Sequence, residues 1–107
     1  MSTRMVILGG GESGVGAALL AKQHGYDVFL TDESSLKEAY RNELQMAGIE
    51  FEEEKHSEEK IFNADQIVKS PGIGEKNKLV KTIREKGISF FIFVRFYGRR
   101  KVNFASI

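Results

Sequence analysis

The 107 residues suffice for one domain with one core, and 41% hydrophobic with 29% charged residues is ordinary for a soluble globular protein. The net charge of +1 gives no basic field for nucleic acid, and the absence of cysteine excludes disulfides and thiolate metal sites. No segment has the apolar stretch of a signal peptide or the roughly 20 apolar residues of a membrane helix, so we expect a cytoplasmic protein without a membrane partner.

The first elements are a strand, a glycine-rich turn and a helix. Residues 5–8 form a short apolar run, which predicts a strand buried on both faces. The alanine- and leucine-rich segment after the glycines predicts a helix capped by Glu12 or Ser13 and extending to about Gln23. Residues 27–31 predict a second strand.

The second helix and the third strand follow. Ser34 or Ser35 predicts a helix cap, with apolar residues at helical spacing through Met46. Ile49 and Phe51 then begin an edge strand that continues into an acidic stretch.

The remaining elements complete a regular alternation. Residues 57–60 resemble a capping box and predict a short helix to Asn63. Residues 65–69 predict a fourth strand, residues 77–86 a helix, and residues 88–94 a fifth strand. Alternating strands and helices with short connections predict an α/β fold, a three-layer sandwich of five mainly parallel strands in the order 3-2-1-4-5.

The glycine turn is the strongest functional signal. Gly9, Gly11 and Gly14 satisfy G-x-G-x-x-G between a strand and a helix, and Asp32 follows the second strand. Such a turn lets a phosphate approach the backbone N–H groups at the helix N-terminus. Three interpretations remain open: an NAD site with Asp32 on the ribose 2′-OH, a site for another nucleotide, or a tight turn without ligand.

Other polar residues carry weaker signals. The turn Ser70-Pro71-Gly72-Ile73 ends the fourth strand, where a hydroxyl and a glycine N–H could close over a phosphate or base. His24 and His56 are far apart in sequence, and we expect both at the surface without metal or catalytic roles. The glutamates of residues 50–59 are expected to form a solvated edge.

The order and spacing of the segments resemble a known family. MVILGGGESGVGAALLAKQHGYDVFLTD, then NADQIVKSPGI, then KLVKTIREKGI is similar to the N-terminal domain of a Mur ligase, from about Met5 to Ile88. The resemblance is greatest to the ligases that add D-glutamate to UDP-N-acetylmuramoyl-L-alanine in peptidoglycan synthesis. It implies a Rossmann-like domain that holds the UDP part of that precursor, which is the expected partner.

The resemblance also implies the binding residues. They are Gly11, Glu12, Ser13, Gly14, Asp32, Glu33, Ser70 and Gly72. Glu12, Ser13 and Gly14 are expected at the diphosphate, the two acidic residues after the second strand at the uracil and ribose, and Ser70 and Gly72 over the site. No catalytic residue and no metal ligand is expected in this chain.

Mur ligases also contain parts that these residues lack. They continue into an ATPase domain with a G-K-[ST] loop and a third domain that receives the amino acid, and neither pattern occurs here. We therefore expect a fragment without a cofactor of its own and inactive alone, with ATP and Mg²⁺ serving the full-length enzyme. The alternative from the residues alone is an NAD-binding module of a dehydrogenase or regulatory protein.

The last residues depart from the family pattern. We divide the chain into a UDP-binding domain over residues 1–88 and an atypical aromatic and basic tail over residues 89–107, which supplies the last strand. Phe93 and Arg95 stand where Mur ligases have acidic residues, and five of the eleven aromatic residues lie in residues 90–97. Because side chains alternate along a strand, these rings cannot all face one side, and we expect self-association through the tail.

Overall fold

The computed structural model describes the backbone of residues 3–70, 73–74, 76–97 and 101–106, with side chains up to residue 91. Its elements in chain order are β1 (Arg4–Leu8), α1 (Glu12–Gln23), β2 (Asp27–Asp32), α2 (Glu38–Met46), β3 (Glu50–Glu53), α3 (Glu58–Ile61), β4 (Gln66–Lys69), α4 (Lys78–Glu85), β5 (Ser89–Tyr97) and β6 (Lys101–Ser106). The strands form one sheet in the order β3-β2-β1-β4-β5-β6.

The strand pairing confirms the predicted topology. All neighbouring pairs from β3 to β5 are parallel, in the order 3-2-1-4-5. The structure adds one element that the sequence patterns did not predict, because β6 pairs antiparallel with β5 at the edge of the sheet. Parallel pairing brings the carboxyl ends of β1, β2, β3 and β4 to the same edge of the sheet, which is where ligands bind in such folds.

The sheet separates two apolar cores. Met5 and Ile7 of β1 face the core covered by α1 and α2, whereas Val6 and Leu8 face the core covered by α3 and α4. All four side chains are at most 5% exposed. Burial of each contributes about 1.5–3 kcal/mol, so the central strand anchors both helical layers. The predicted three-layer sandwich is confirmed.

The aromatic rings at the start of β5 divide between the two faces. Phe90 is buried among the residues of the α3 and α4 core, and Phe91 packs against the opposite core. The side chains of Phe93 and Phe96 lie outside the described residues. Self-association through the tail therefore stays a prediction.

Two predicted helix starts are wrong. Gly11 is the N-cap residue of α1 and no side chain among the described residues caps this helix, so neither Glu12 nor Ser13 has the predicted role. The helix after β2 has Lys37 as its N-cap and begins later than a cap at Ser34 or Ser35 would require.

Bonds to β3 explain the late start of α2. The Leu36 N–H donates to Glu53 Oε1 at 2.8 Å, and the Glu54 N–H donates to the Ser34 carbonyl oxygen at 3.2 Å. Leu36 is buried in the core covered by α1 and α2. These long-range contacts hold residues 33–37 against the end of β3, and the helix begins only after them.

Asn77 caps α4 through its side chain, and its removal has a predictable cost. Its Oδ1 accepts from the N–H groups of Leu79 at 2.8 Å and Val80 at 3.3 Å. We expect Asn77→Ala to lower the free energy of unfolding by about 1 kcal/mol, measured by urea denaturation. Asn77→Asp keeps the acceptor and should retain the stability of the original chain; equal losses in both variants would contradict the capping role.

Candidate functional site

The glycine turn brings the start of α1 against the end of β1. Gly9 has φ +108°, a conformation that favours glycine, and its N–H donates to the Thr31 carbonyl oxygen at 2.9 Å. At Gly14, a Cβ atom would overlap the carbonyl oxygen of Gly9. The absence of a side chain at Gly14 therefore lets the first turn of α1 pack on the backbone of the glycine loop.

The N-terminus of α1 presents backbone donors. The first hydrogen bond within the helix runs from the Val15 N–H to the Gly11 carbonyl oxygen at 2.9 Å. The N–H groups of Glu12, Ser13 and Gly14 precede it, so the helix itself offers them no acceptor. Together with the positive end of the helix dipole, these groups are suited to an anion such as a phosphate.

Asp32 connects the glycine loop to the loop after β2. Its Oδ2 accepts from the Gly10 N–H at 2.6 Å, and its Oδ1 accepts from the Ser34 N–H at 2.8 Å. The carboxylate is half-buried and fixes two loops that line the same cavity. Each carboxylate oxygen accepts up to two hydrogen bonds, so both retain capacity for a ligand hydroxyl.

The turn after β4 forms another wall of the site. The Ser70 N–H donates to the Leu8 carbonyl oxygen at 3.1 Å, and the Ile73 N–H donates to the Ser70 carbonyl oxygen at 3.1 Å. Lys69 is only 3% exposed, and its Nζ donates to the Ile73 carbonyl oxygen at 2.8 Å. A buried ammonium group thus lies directly under this turn.

These loops surround an open cavity of about 360 Å³ at the carboxyl edge of the sheet. Seven of the eight predicted binding residues line it, and Gly72 lies outside the described residues. The seven are Gly11, Glu12, Ser13, Gly14, Asp32, Glu33 and Ser70. Six further lining residues were not among those predicted, namely Gly9, Gly10, Ser34, His56, Ile73 and Asn77.

His56 is one of the polar lining residues that sequence reasoning missed. Its Nδ1 lies 2.8 Å from Thr31 Oγ1, and the ring is half-buried in the wall of the cavity. His56 is therefore only partly exposed, in the wall of the cavity, whereas His24 is exposed. The signal that could have found His56 is its place just after a predicted parallel strand, at the same sheet edge as Asp32.

A buried carboxylate lies behind His56. Glu52 is 7% exposed, and its Oε2 accepts from Thr31 Oγ1 at 2.9 Å and from the Ser57 N–H at 2.7 Å. Its Oε1 accepts from Ser57 Oγ at 2.6 Å. Ser57 is the N-cap residue of α3, but its side chain bonds Glu52 rather than capping the helix. This residue of the acidic stretch is therefore part of the protein interior rather than a solvated edge.

The hydrogen bonds of Glu52 determine its charge. Burial alone would raise its pKa, but the bonds from the Ser57 N–H, the Ser57 hydroxyl and the Thr31 hydroxyl together hold the pKa below its usual value. Glu52 is therefore an ionised, acceptor-only group at neutral pH.

The described residues contain neither a metal-ligand cluster nor a membrane-spanning helix. Among them, no group of three or more His, Cys, Asp or Glu side chains is arranged to hold a metal ion. No helix within the same residues combines the length and the apolar character needed to cross a membrane.

Comparison with known proteins identifies the family. Residues 4–82 match the family described as the MurD N-terminal domain. The chain belongs to this family. The match includes the glycine turn, Asp32 and Ser70, and it supports the resemblance noted from the sequence segments over the NAD-binding alternative.

Individual relatives agree with the family match. The chain is 57% identical over 99 residues to UDP-N-acetylmuramoylalanine–D-glutamate ligase of Cytophaga hutchinsonii, covering 92% of this chain and 22% of that protein. It is 51% identical over 96 residues to the ligase of the same name from Christiangramia forsetii, covering 90% of this chain and 22% of that protein. The chain thus spans about a fifth of the length of these relatives.

A solved structure supports the fold. A pseudomurein peptide ligase type C from Methanothermus fervidus superposes with a TM-score of 0.73, covering 85% of this chain and 19% of that protein. At 23% sequence identity, this likeness concerns the fold alone.

Proposed function

We propose that this chain is the UDP-binding N-terminal domain of an ATP-dependent ligase that joins D-glutamate to UDP-N-acetylmuramoyl-L-alanine in peptidoglycan synthesis. The observation that carries the proposal is the family match over residues 4–82, which contains the cavity at the carboxyl edge of the sheet. The names of the relatives indicate the substrates. The proposal includes the cytoplasmic location that the resemblance implies.

The diphosphate binds at the N-terminus of α1. The backbone N–H groups of Glu12, Ser13 and Gly14 lack acceptors within the helix, and all three residues line the cavity. A diphosphate supplies the anionic oxygens that these donors and the helix dipole favour. The exposed carboxylate of Glu12 opposes this attraction, so the backbone donors carry the binding energy in this proposal.

The nucleoside binds beside the loop after β2. Asp32 and Glu33 line the cavity there, and Asp32 retains acceptor capacity on both carboxylate oxygens. Ser70 lines the opposite wall, at the end of β4. A ligand that spans from the α1 N-terminus to Asp32 therefore has its phosphates at one end and its ribose and base at the other.

ATP and Mg²⁺ act elsewhere in the full-length enzyme in this proposal. The 107 residues contain no G-K-[ST] loop, and the described residues do not bring together a metal-binding group. This chain binds and orients the UDP-linked precursor. The carboxyl group of the precursor is the group that is joined to D-glutamate in the new amide bond. The amide bond itself forms outside the residues described here.

Amide-shift titration of the ¹⁵N-labelled chain tests the proposal. UDP and UDP-N-acetylmuramoyl-L-alanine should perturb the amides of Glu12, Ser13, Gly14, Asp32 and Gly72. UMP, with one phosphate fewer, should perturb the α1 amides less than UDP does. NAD should cause smaller shifts than UDP throughout the cavity.

The comparison between UDP and NAD decides whether the proposed function holds. Saturation of the glycine-loop amides by NAD, with no response to UDP, would overturn the proposal and favour the NAD-binding alternative. Shifts confined to Asp32, with the α1 amides unmoved, would overturn the assignment of the diphosphate to the helix N-terminus.

A further inference from the structure

Thr31 has three hydrogen-bonding neighbours and one proton to donate. Its side chain is fully buried at the end of β2, with Oγ1 2.9 Å from Glu52 Oε2 and 3.0 Å from the Lys55 carbonyl oxygen. The same atom lies 2.8 Å from Nδ1 of His56. Because a hydroxyl donates one hydrogen bond and accepts others, these neighbours determine the direction of each bond.

Two of the three neighbours only accept. The Lys55 carbonyl oxygen has no proton, and Glu52 is ionised at neutral pH because its hydrogen bonds from Ser57 and Thr31 hold its pKa below the usual value. Thr31 therefore donates to one of these oxygens, and Nδ1 of His56 donates to Thr31 Oγ1. The opposite arrangement would leave the buried Thr31 oxygen facing two acceptors without a proton between them, which is costly.

This arrangement fixes the tautomer of the imidazole. In the neutral ring, a proton on Nδ1 leaves Nε2 with a lone pair, and Nε2 is the only other polar atom of the side chain. The ring lines the cavity, and its Nδ1 edge is held by Thr31. The cavity wall therefore contains a hydrogen-bond acceptor whose orientation is set by buried groups.

We propose that His56 is a specificity-determining residue that accepts, through Nε2, a hydrogen bond from a donor on the nucleoside of the ligand. This inference rests on the proposed function. His56 lies on the nucleoside side of the cavity, because the Lys55 N–H donates to the Asp32 carbonyl oxygen at 3.3 Å. A lone pair is a poor partner for phosphate oxygens, whereas uracil N3–H and the ribose hydroxyls are donors.

Two substitutions isolate the role of Nε2. The amide nitrogen of asparagine takes the place of Nδ1, so His56→Asn keeps a donor for Thr31 and removes the Nε2 acceptor. His56→Gln reaches further and presents an amide oxygen near the position of Nε2. His24→Asn changes an exposed histidine outside the cavity and is the matched control.

Binding of UDP, CDP, 2′-deoxy-UDP and 3′-deoxy-UDP to each variant is measured by calorimetry. We expect His56→Asn to weaken UDP binding about five- to tenfold, since one hydrogen bond is lost, with partial recovery in His56→Gln and no change in His24→Asn. Loss of the preference for UDP over CDP in His56→Asn identifies uracil N3–H as the donor, because cytosine carries an acceptor at N3. Loss of the preference over one of the deoxy ligands instead identifies that ribose hydroxyl.

Ring ¹⁵N chemical shifts of His56 supply an independent readout. The unliganded chain should show a protonated Nδ1 and an unprotonated Nε2 at pH 8, and UDP should move the Nε2 signal. A protonated Nε2, or equal ligand preferences in His56→Asn and the original chain, would overturn the inference while leaving UDP binding intact. Absence of UDP binding to the original chain would overturn the proposed function and this inference with it.

Discussion

Gly14→Ala should lower the free energy of unfolding by at least about 2 kcal/mol, even after the roughly 1 kcal/mol that alanine gains in helix propensity. The added Cβ would overlap the carbonyl oxygen of Gly9, a backbone atom that cannot rotate away as a side chain would. The helix must then shift from the sheet, and Val15, Ala17 and Ala18 are all fully buried at this contact. Urea denaturation followed by circular dichroism measures the loss.

Gly74→Ala is the matched control for this prediction. Gly74 is exposed, and a Cβ there would meet nothing within 4 Å. The same chemical change should therefore leave the free energy of unfolding within about 0.5 kcal/mol of the original value. If both variants unfold at the same urea concentration as the original chain, the close contact between Gly14 and Gly9 does not contribute to stability.

The unfolding measurements on these variants would also separate the role of the glycine loop in stability from its role in ligand binding. Gly14 lines the cavity, but its Cα faces the backbone of Gly9, so a side chain there acts first on the fold. Gly11 has open space around it. Loss of UDP binding in a Gly14 variant is therefore evidence about ligand approach only where the fold is shown to be intact.

The sheet was predictable from the sequence because its determinants are local. The short apolar runs at residues 5–8 and 27–31 alternate with helical segments, and that alternation restricts the topology to parallel strands with crossovers. The glycine motif and Asp32 were predictable for the same reason, since their spacing lies within one strand–helix–strand unit. The sixth strand carried no comparable pattern, and its antiparallel pairing with β5 at the sheet edge is visible only in the structure.

The features that sequence reasoning missed depend on contacts distant in the chain. The start of α2 is set by bonds between residues 33–37 and β3, which compete with the capping preference of Ser34 and Ser35. His56 enters the cavity wall only because β3 pairs with β2 and brings it to Thr31. Hydrophobic periodicity and helix-cap preferences are local properties of the sequence, so they do not indicate such long-range pairing.

Removal of the Glu52 carboxylate should destabilise the chain at neutral pH. Glu52→Ala leaves the N–H and hydroxyl of Ser57 without their acceptor and removes one of the two acceptors beside the buried Thr31 hydroxyl. Because unsatisfied buried donors cost about 1–3 kcal/mol each, we expect the free energy of unfolding to fall by roughly 3 kcal/mol in urea denaturation. Glu59→Ala, at an exposed position of α3, should change the free energy of unfolding by less than about 0.5 kcal/mol.

The Glu52 effect should also depend on pH, in a direction that its lowered pKa determines. A carboxyl group with a lower pKa in the folded than in the unfolded chain stabilises the fold above its unfolded value, taken as 4.5, and loses that contribution as the pH falls through the folded pKa. Glu52→Gln keeps the shape of the side chain but does not titrate. The difference in unfolding free energy between the original chain and Glu52→Gln should therefore be largest above pH 5 and shrink as the pH is lowered below 4.5. A difference that stays constant from pH 7 to pH 3 would mean that the pKa of Glu52 is the same in the folded and the unfolded chain, so that the hydrogen bonds from Ser57 and Thr31 do not favour its ionised form.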